Sequence, residues 1–275
     1  MDIQANLYYH KSADRIIGYA DFGGEDNRLE VANKALVFMC QGVSRKWKQP
    51  VAYYFCHNAC TATDVVRCLQ EVLHAATTFG RFDVVATICD MGKNNVKALK
   101  AMGASIQTPY FTFGEKNIYT MYDPPHLLKC TVALFRKYSV LLPVEIGGQE
   151  QIMEAKFQDI IDAHTTDKNT PFIFQAMRKI KDIHLAPIMQ YSMKVCIAAQ
   201  VMSHTVASFL YILLSRGEME QRTVATATFV QQVDELFDSF NGSQLTPGDK
   251  ELKCAISQES KHLSYWERAY QTVKT

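Results

Sequence analysis

Between residues 5 and 60 the chain alternates short apolar runs with turn-forming clusters. Leu7 to His10, Arg15 to Ala20, Ala35 to Cys40 and Val51 to Phe55 are rich in aromatic and β-branched residues, and Asp21-Phe22-Gly23-Gly24-Glu25-Asp26-Asn27 interrupts them. That pattern predicts strands in an antiparallel meander. From Thr61 the period changes. Val65, Val66, Leu69, Val72, Leu73 and Ala76 recur at helical spacing until Gly80, and Thr61-Ala62-Thr63-Asp64 is a capping sequence. One amphipathic helix lying on the sheet is expected.

Phe82 to Cys89 is an almost continuous apolar run that ends at Asp90, and Met91-Gly92-Lys93-Asn94-Asn95 leads into a short helical pattern through Val96, Leu99 and Met102. This reads as a buried strand, a polar turn and a helix. An extended stretch from Ile106 runs through Tyr119-Thr120-Met121-Tyr122 to Asp123-Pro124-Pro125-His126, and Leu127 to Tyr138 is helical in pattern. Beyond Leu142 strand signals fade, and Ile152 to Ile161, Pro171 to Lys181, Ser192 to Ser215 and Thr223 to Phe240 predict helices. The expected organisation is a strand-rich first half and a mostly helical second half, without internal repeats.

Composition narrows the class. The 275 residues are 48% hydrophobic and 21% charged with a net charge of +1, which is ordinary globular chemistry without a global field for nucleic acid or anionic membrane. Contact with nucleic acid would have to be local. The eight cysteines lie mostly in apolar runs, as free thiols do, and Cys56-His57-Asn58-Ala59-Cys60 lacks a second ligand pair at zinc-site spacing. The N-terminus has no signal-peptide pattern, and no window looks like an uninterrupted span of about 20 apolar residues. An intracellular, soluble, non-secreted protein with no membrane partner is expected.

Two carboxylates stand out by position. Asp90 ends a buried strand, where α/β proteins hold ligand and metal groups, but an Asp there equally caps the helix that follows. Both roles are open on position alone. Asp123 precedes Pro124-Pro125, which stops a strand and starts a helix, and His126 and Lys129 could join it in a small polar cluster or simply cap and pack. Phosphate-binding loops, dinucleotide fingerprints and nucleophile elbows are missing from the sequence.

Several segments in order resemble the P-element-type transposases, including the THAP-domain transposase relatives. They are Arg15-Ile16-Ile17-Gly18-Tyr19-Ala20-Asp21-Phe22-Gly23, Ala35-Leu36-Val37-Phe38-Met39 with Trp47-Lys48-Gln49-Pro50, and Cys89-Asp90-Met91-Gly92-Lys93-Asn94-Asn95. Asp123-Pro124-Pro125-His126-Leu127-Leu128-Lys129, Met193-Lys194-Val195 with Ala198-Ala199-Gln200-Val201-Met202-Ser203, and Leu236-Phe237-Asp238-Ser239-Phe240-Asn241 continue the series. The resemblance implies an α/β RNase H-like domain, its mixed sheet flanked by helices and incomplete, over residues 1–122. A mostly helical GTP-binding insertion domain over 123–275 would follow. It further implies DNA (transposon ends) and a guanine nucleotide as partners, Mg2+ as metal, and a nuclear location; the oligomeric state is left open.

The family cuts and joins DNA with two divalent ions held by three acids. Asp90 corresponds to the second, and is thereby the expected catalytic and metal-binding residue. The first belongs to an Asp-Glu-Met-Ser-Ile-like strand of which this sequence begins at the Met, and Asp2 falls at an odd offset that points it to the other face. The third belongs to a Gln-Asp-x-Leu-Glu-like segment that residues 250–275 do not contain. The expectation is a transposase fragment or derivative that does not cut DNA on its own. A working transposase with its remaining acids outside these residues, and a non-catalytic protein-interaction scaffold, are the alternatives.

The same matching places guanine-nucleotide contacts on Lys179, Lys194, Val195, Ser203, Asp234 and Asp238. Lysines suit phosphates, and a carboxylate suits the guanine N1 and N2 donors, which gives Asp238 a concrete role. Asp234 stands where the family pattern has Asn. Surface positions on helices, with Ser203 bonding its own helix, are the alternative for this set.

Overall fold

The computed structural model describes residues 1–23, 27–186, 194–242, 245, 246, 248 and 250–274. The chain forms two compact units, Met1–Asp123 and Pro124–Thr275.

The first unit opens with the hairpin of β1 (Tyr8–His10) and β2 (Arg15–Ile17). Gly18 follows at φ +115°, and a Cβ there would meet the Asn6 carbonyl oxygen at 2.0 Å, so only glycine fits. Then come β3 (Tyr19–Asp21), β4 (Asn27–Val31), β5 (Lys34–Gln41) and β6 (Lys48–Cys56), an antiparallel sheet in the order β4-β3-β6-β5. The strands pair antiparallel as expected but not as one meander: β1–β2 is a separate hairpin, the Arg15–Ala20 stretch is divided at Gly18, β6 pairs with β3, and β4 is an additional strand. The register of β5 and β6 shifts between Phe38 and Met39, and Pro50, which has no N–H to donate, sits at that irregularity. Residues 1–3 lie along the start of β5, where Ala35 N donates to Met1 O (2.8 Å) and Ile3 N to Asn33 O (3.0 Å).

Helix α1 (Ala62–Thr78) starts as the sequence predicts: Asp64 N donates to Thr61 Oγ1 (3.1 Å) and Thr61 N donates to Asp64 Oδ2 (3.1 Å), a reciprocal capping box. Arg28 Nη2 adds a 2.8 Å ion pair to Asp64, tying the helix start to β4. A second sheet holds β7 (Ala86–Cys89), parallel to β9 (Lys116–Tyr122), which pairs antiparallel with β8 (Tyr110–Phe113). Helix α2 (Lys93–Ala101) follows β7.

α1 serves both sheets. Its Leu69 and Leu73 join Leu99, Phe111 and Ile118 in one core, its Cys68 joins Phe22, Tyr54 and Cys56 in another, and Phe38 packs against both. Strand side chains alternate between faces, so Val37 and Tyr53 on β5–β6, and Ile88 and Met121 on β7–β9, point away from α1 as cross-strand pairs. All four are exposed.

The second unit begins with α3 (Pro124–Phe135) and then departs from expectation. Val140–Ile146 (β10) and Gln149–Ala155 (β11) form an antiparallel hairpin across Gly147-Gly148, both at positive φ. The helix expected from Ile152 starts instead at α4 (Phe157–Lys168). The Pro171–Lys181 helix is absent, replaced by a short 3-10 turn at Phe172–Phe174; Asp167 folds the following loop by accepting from Ala176 N (2.8 Å) and Met177 N (2.9 Å). After α5 (Asp182–Leu185), the helix expected from Ser192 has its first residues outside the described ones. The remainder divides into α6 (Val195–Val201) and α7 (His204–Ser215), because Ser203 Oγ accepts from Val206 N and starts a new helix. By length and composition residues 195–215 could cross a membrane, contrary to the sequence expectation, yet half of that stretch is buried inside the unit. α8 (Thr223–Phe240) matches its predicted bounds, and α9 (His262–Lys274) ends the chain. The core gathers α3, the hairpin, α4, α6, α7 and α8, with Ala225, Ala227 and Val230 of α8 fully buried.

Thr61→Ala is expected to cost about 1 kcal/mol, the usual worth of such a cap, in urea unfolding followed by circular dichroism. Burial pushes the Asp64 carboxyl upward, but the Arg28 guanidinium and the Thr61 bonds outweigh it and hold its pKa below 3.8. A depressed folded value gives stability that is complete above the unfolded pKa and is lost as pH falls through the folded one. Asp64→Asn should therefore lower stability at neutral pH and flatten its decline below about pH 4; parallel pH profiles for the two proteins would refute this. On the bare sheet face, Tyr53→Ser combined with Ile88→Thr should reduce self-association in light scattering with an unchanged circular dichroism spectrum. Undiminished self-association would show that this face is not adhesive.

Candidate functional site

The strand–turn–helix order around Asp90 is as the sequence predicts, but the strand is shorter, Ala86–Cys89, and not buried: Phe82, Val85 and Ile88 are exposed because only one face of the sheet packs against helices. β7 fixes the backbone up to Cys89, whose carbonyl accepts from Asp123 N (2.9 Å) in continuation of the parallel pairing with β9. Asp90 then turns out of the strand and is exposed. Its Oδ1 accepts from Gly92 N (2.9 Å) and from Asn95 Nδ2 (2.8 Å), so the carboxylate organises the turn into α2. A Cβ on Gly92 would lie 2.8 Å from Asp90 Oδ1, which makes glycine part of that arrangement. Burial and the neighbouring Asp90 charge push the Cys89 thiol up to about 11, so it stays protonated at neutral pH.

Two-metal chemistry needs several carboxylates converging on one point. Asp2 pairs with Lys34 at 3.4 Å on the surface, where β5 begins. Among the described residues no three His, Cys, Asp or Glu side chains are grouped as metal ligands would be. An exposed carboxylate that already holds a turn, with no group of three ligands around it among the described residues, does not fit a pair of Mg2+ ions.

The proposed nucleotide residues are spread over four elements of the second unit. Lys179 is exposed in the loop before α5, Lys194 caps the N-terminus of α6, and Val195 is its half-buried first residue. Ser203 caps α7 with its side chain accepting from Val206 N at 3.4 Å, the helix-bonding role. Asp234 and Asp238 sit one turn apart on α8, both buried. The structure joins this last pair directly: Lys250 Nζ bonds Asp234 Oδ2 (2.6 Å) and Asp238 Oδ2, while Lys253 Nζ lies 3.3 Å from Asp238 Oδ1. Burial pulls the Lys250 ammonium down, but its bonds to the two aspartates outweigh it and raise its pKa above 10.5.

Lys250 and Lys253 were not foreseen. Two lysines 12 and 15 positions after Asp238 carry no periodicity that would tie them to α8. A second polar knot was also missed. His184 Nε2 meets Gln200 Oε1 at 2.5 Å and its Nδ1 accepts from Lys181 N at 3.0 Å, while Arg136 Nη2 donates to the His184 carbonyl, linking α3, α5 and α6. These bonds place α6, and with it Lys194 and Val195.

Comparison with known proteins gives this arrangement its context. Residues 1–103 match the family model described as TNP-like, RNase H N-terminal domain, and residues 126–255 match the one described as TNP-like, GTP-binding insertion domain. The Transposable element P transposase of Drosophila melanogaster is 26% identical over 249 residues, covering 90% of this chain and 29% of that protein. The DNA transposase THAP9 of Homo sapiens is 24% identical over 252 residues, covering 88% of this chain and 26% of that protein. In the solved Drosophila P element transposase strand transfer complex, a chain 21% identical in sequence superposes with a TM-score of 0.77 over all of this chain and 57% of its own length. The chain thus spans less than a third of these two curated relatives. With an RNase H-like unit followed by a GTP-binding-type insertion unit, the chain belongs to the P-element-type transposase family.

Proposed function

We propose that these 275 residues form a nucleotide-binding, DNA-associated module of a transposase that works in the nucleus and does not cut DNA by itself. The observation that carries the nucleotide part is the buried pair Asp234 and Asp238 at the end of α8, within residues that match a GTP-binding insertion model. A buried carboxylate accepts from both the N1 and N2 donors of guanine, whereas adenine in the same register turns its N1 acceptor toward the carboxylate and has no amino group at C2, so the carboxylate favours guanine. Lys179 and Lys194, exposed before α5 and at the start of α6, are the phosphate-facing candidates.

The absence of cutting rests on Asp90. With one acid, neither the attacking nor the leaving oxygen of a strand-transfer reaction would be held between two ions. DNA contact is carried over from what the relatives are named for, and the net charge of +1 assigns it to local lysines rather than to a basic surface. A second reading, a cut-and-paste transposase whose other acids reside in polypeptide beyond these residues, is favoured by the greater length of the relatives.

Calorimetry with GTP, GDP and ATP in the presence of Mg2+ tests the first part. GTP and GDP should bind in preference to ATP, and Asp238→Ala should weaken GTP binding at least about tenfold, since a charge-assisted hydrogen bond is worth about 1.5–3 kcal/mol. Equal affinity for GTP and ATP, or an Asp238→Ala protein that binds as tightly as the original, would defeat the guanine assignment. For the second part, the chain should leave labelled linear DNA intact with Mg2+ or Mn2+, and cleavage lost in Asp90→Asn would reject the inactive reading.

A further inference from the structure

The end of α8 is an expensive place for two aspartates. Residues at i and i+4 share a helix face, so Asp234 and Asp238 repel each other, and Asp238 lies in the last turn, where the helix dipole is itself negative. Both side chains are largely buried, which removes most of the water that would otherwise screen them. What offsets this is the returning chain. Lys250 bridges the two carboxylates, and Lys253 takes the remaining Asp238 oxygen.

The return is built in, not incidental. A Cβ on Gly242 would lie within 2.5 Å of the Cys254 backbone, so glycine is needed where the two passes cross. Cys254 is buried, and His262, fully buried, contacts the Leu252 carbonyl at 2.9 Å. Trp266 of α9 stacks on Phe240 at 4.9 Å and donates to Ser239 Oγ (2.8 Å). The segment 250–254 and α9 therefore cap the last turns of α8 together.

We infer that Lys250 is a built-in competitor for guanine: its ammonium occupies the carboxylate oxygens of Asp234 and Asp238 that the base would use, so segment 250–254 must lift from α8 for a nucleotide to bind. An ammonium and the guanine N1–N2 edge are both pure donors, and they need the same acceptors. Both Asp238 oxygens are engaged, Oδ2 by Lys250 and Oδ1 by Lys253, so a guanine edge that reaches the same pair of oxygens competes with both ammonium groups. The Asp at 234, where the family pattern has Asn, gives Lys250 its second anchor. This inference rests on the guanine reading of Asp238, and deepens it into a regulated site.

The test uses the 275-residue chain and two substitutions that each remove one clamping ammonium at similar side-chain size, Lys250→Met and Lys253→Met, with circular dichroism as the check on folding. Calorimetry with GTP and Mg2+ should show about tenfold tighter binding for each, one charge-assisted contact to the clamp having been removed. In hydrogen exchange, GTP added to the unaltered protein should raise exchange in residues 250–254. Equal or weaker GTP binding by both folded variants would overturn the clamp while leaving the guanine site standing. No GTP binding by the unaltered chain or either variant would remove the guanine site, and the clamp with it.

Discussion

Helix α8 carries charged and polar side chains into the interior at both ends, and what makes this possible is that its buried Thr226, Asp234 and Asp238 meet partners there. At its start Thr226 donates to Asp159 Oδ2 and accepts from Lys156 N, and Arg222 closes on the same Asp159 at 3.0 Å. In its middle Ala225, Ala227 and Val230 let α7 and the β10–β11 hairpin approach closely. At its end Lys250 and Lys253 neutralise Asp234 and Asp238. An unpaired buried carboxylate costs several kcal/mol, so the pairings are conditions for burying the helix at all. The packing of the second unit and its candidate chemistry thus share one element, and a ligand that reaches the end of α8 must exchange partners with the fold.

The first unit has the opposite character. Its helices α1 and α2 lie on one side, and the strands present Val37, Tyr53, Ile88 and Met121 to solvent on the other. A parallel pair such as β7 and β9 is ordinarily covered on both faces, because its crossovers place helices there. The bare face and the lone Asp90 lie in the same unit, so its chemistry and its packing are both one-sided.

Elements whose signal is local were legible in the sequence. The α1 cap was visible in Thr61-Ala62-Thr63-Asp64, the strand and turn around Asp90 in an apolar run meeting Gly and Asn, and α8 in a long unbroken period. The β10–β11 hairpin was hidden for two reasons. Pro143 reads as a strand breaker although it pairs with Ile152 in β10, and Gln149-Glu150-Gln151 has helical propensity that tertiary pairing overrides. Gly147-Gly148, a two-residue turn signal after the apolar Val140–Ile146 stretch, was the available cue. Residues 171–181 failed differently: their order comes from Asp167, whose carboxylate collects two backbone amides that a helix would have used internally. The break before Ser203 is a cap inside an apolar run, which hydrophobic periodicity does not register.

Carboxylates that sequence matching treats alike separate once burial and partners are known. Asp90 is exposed and spends Oδ1 on two neutral donors of its own turn, Gly92 and Asn95. A cation approaching it competes with weak local bonds and with water, so position sets its chemistry and only further acids can complete it. Asp238 is buried, and both of its oxygens face ammonium groups from a distant part of the chain. Its chemistry is set by displacement. A base gains the carboxylate only after the lysines leave, and the lysines can leave at tolerable cost because Lys250 and Lys253 are partly exposed and recover water. The aspartate cannot be hydrated in the same way, so it must find another donor, and a guanine edge supplies donors in the spacing of a carboxylate.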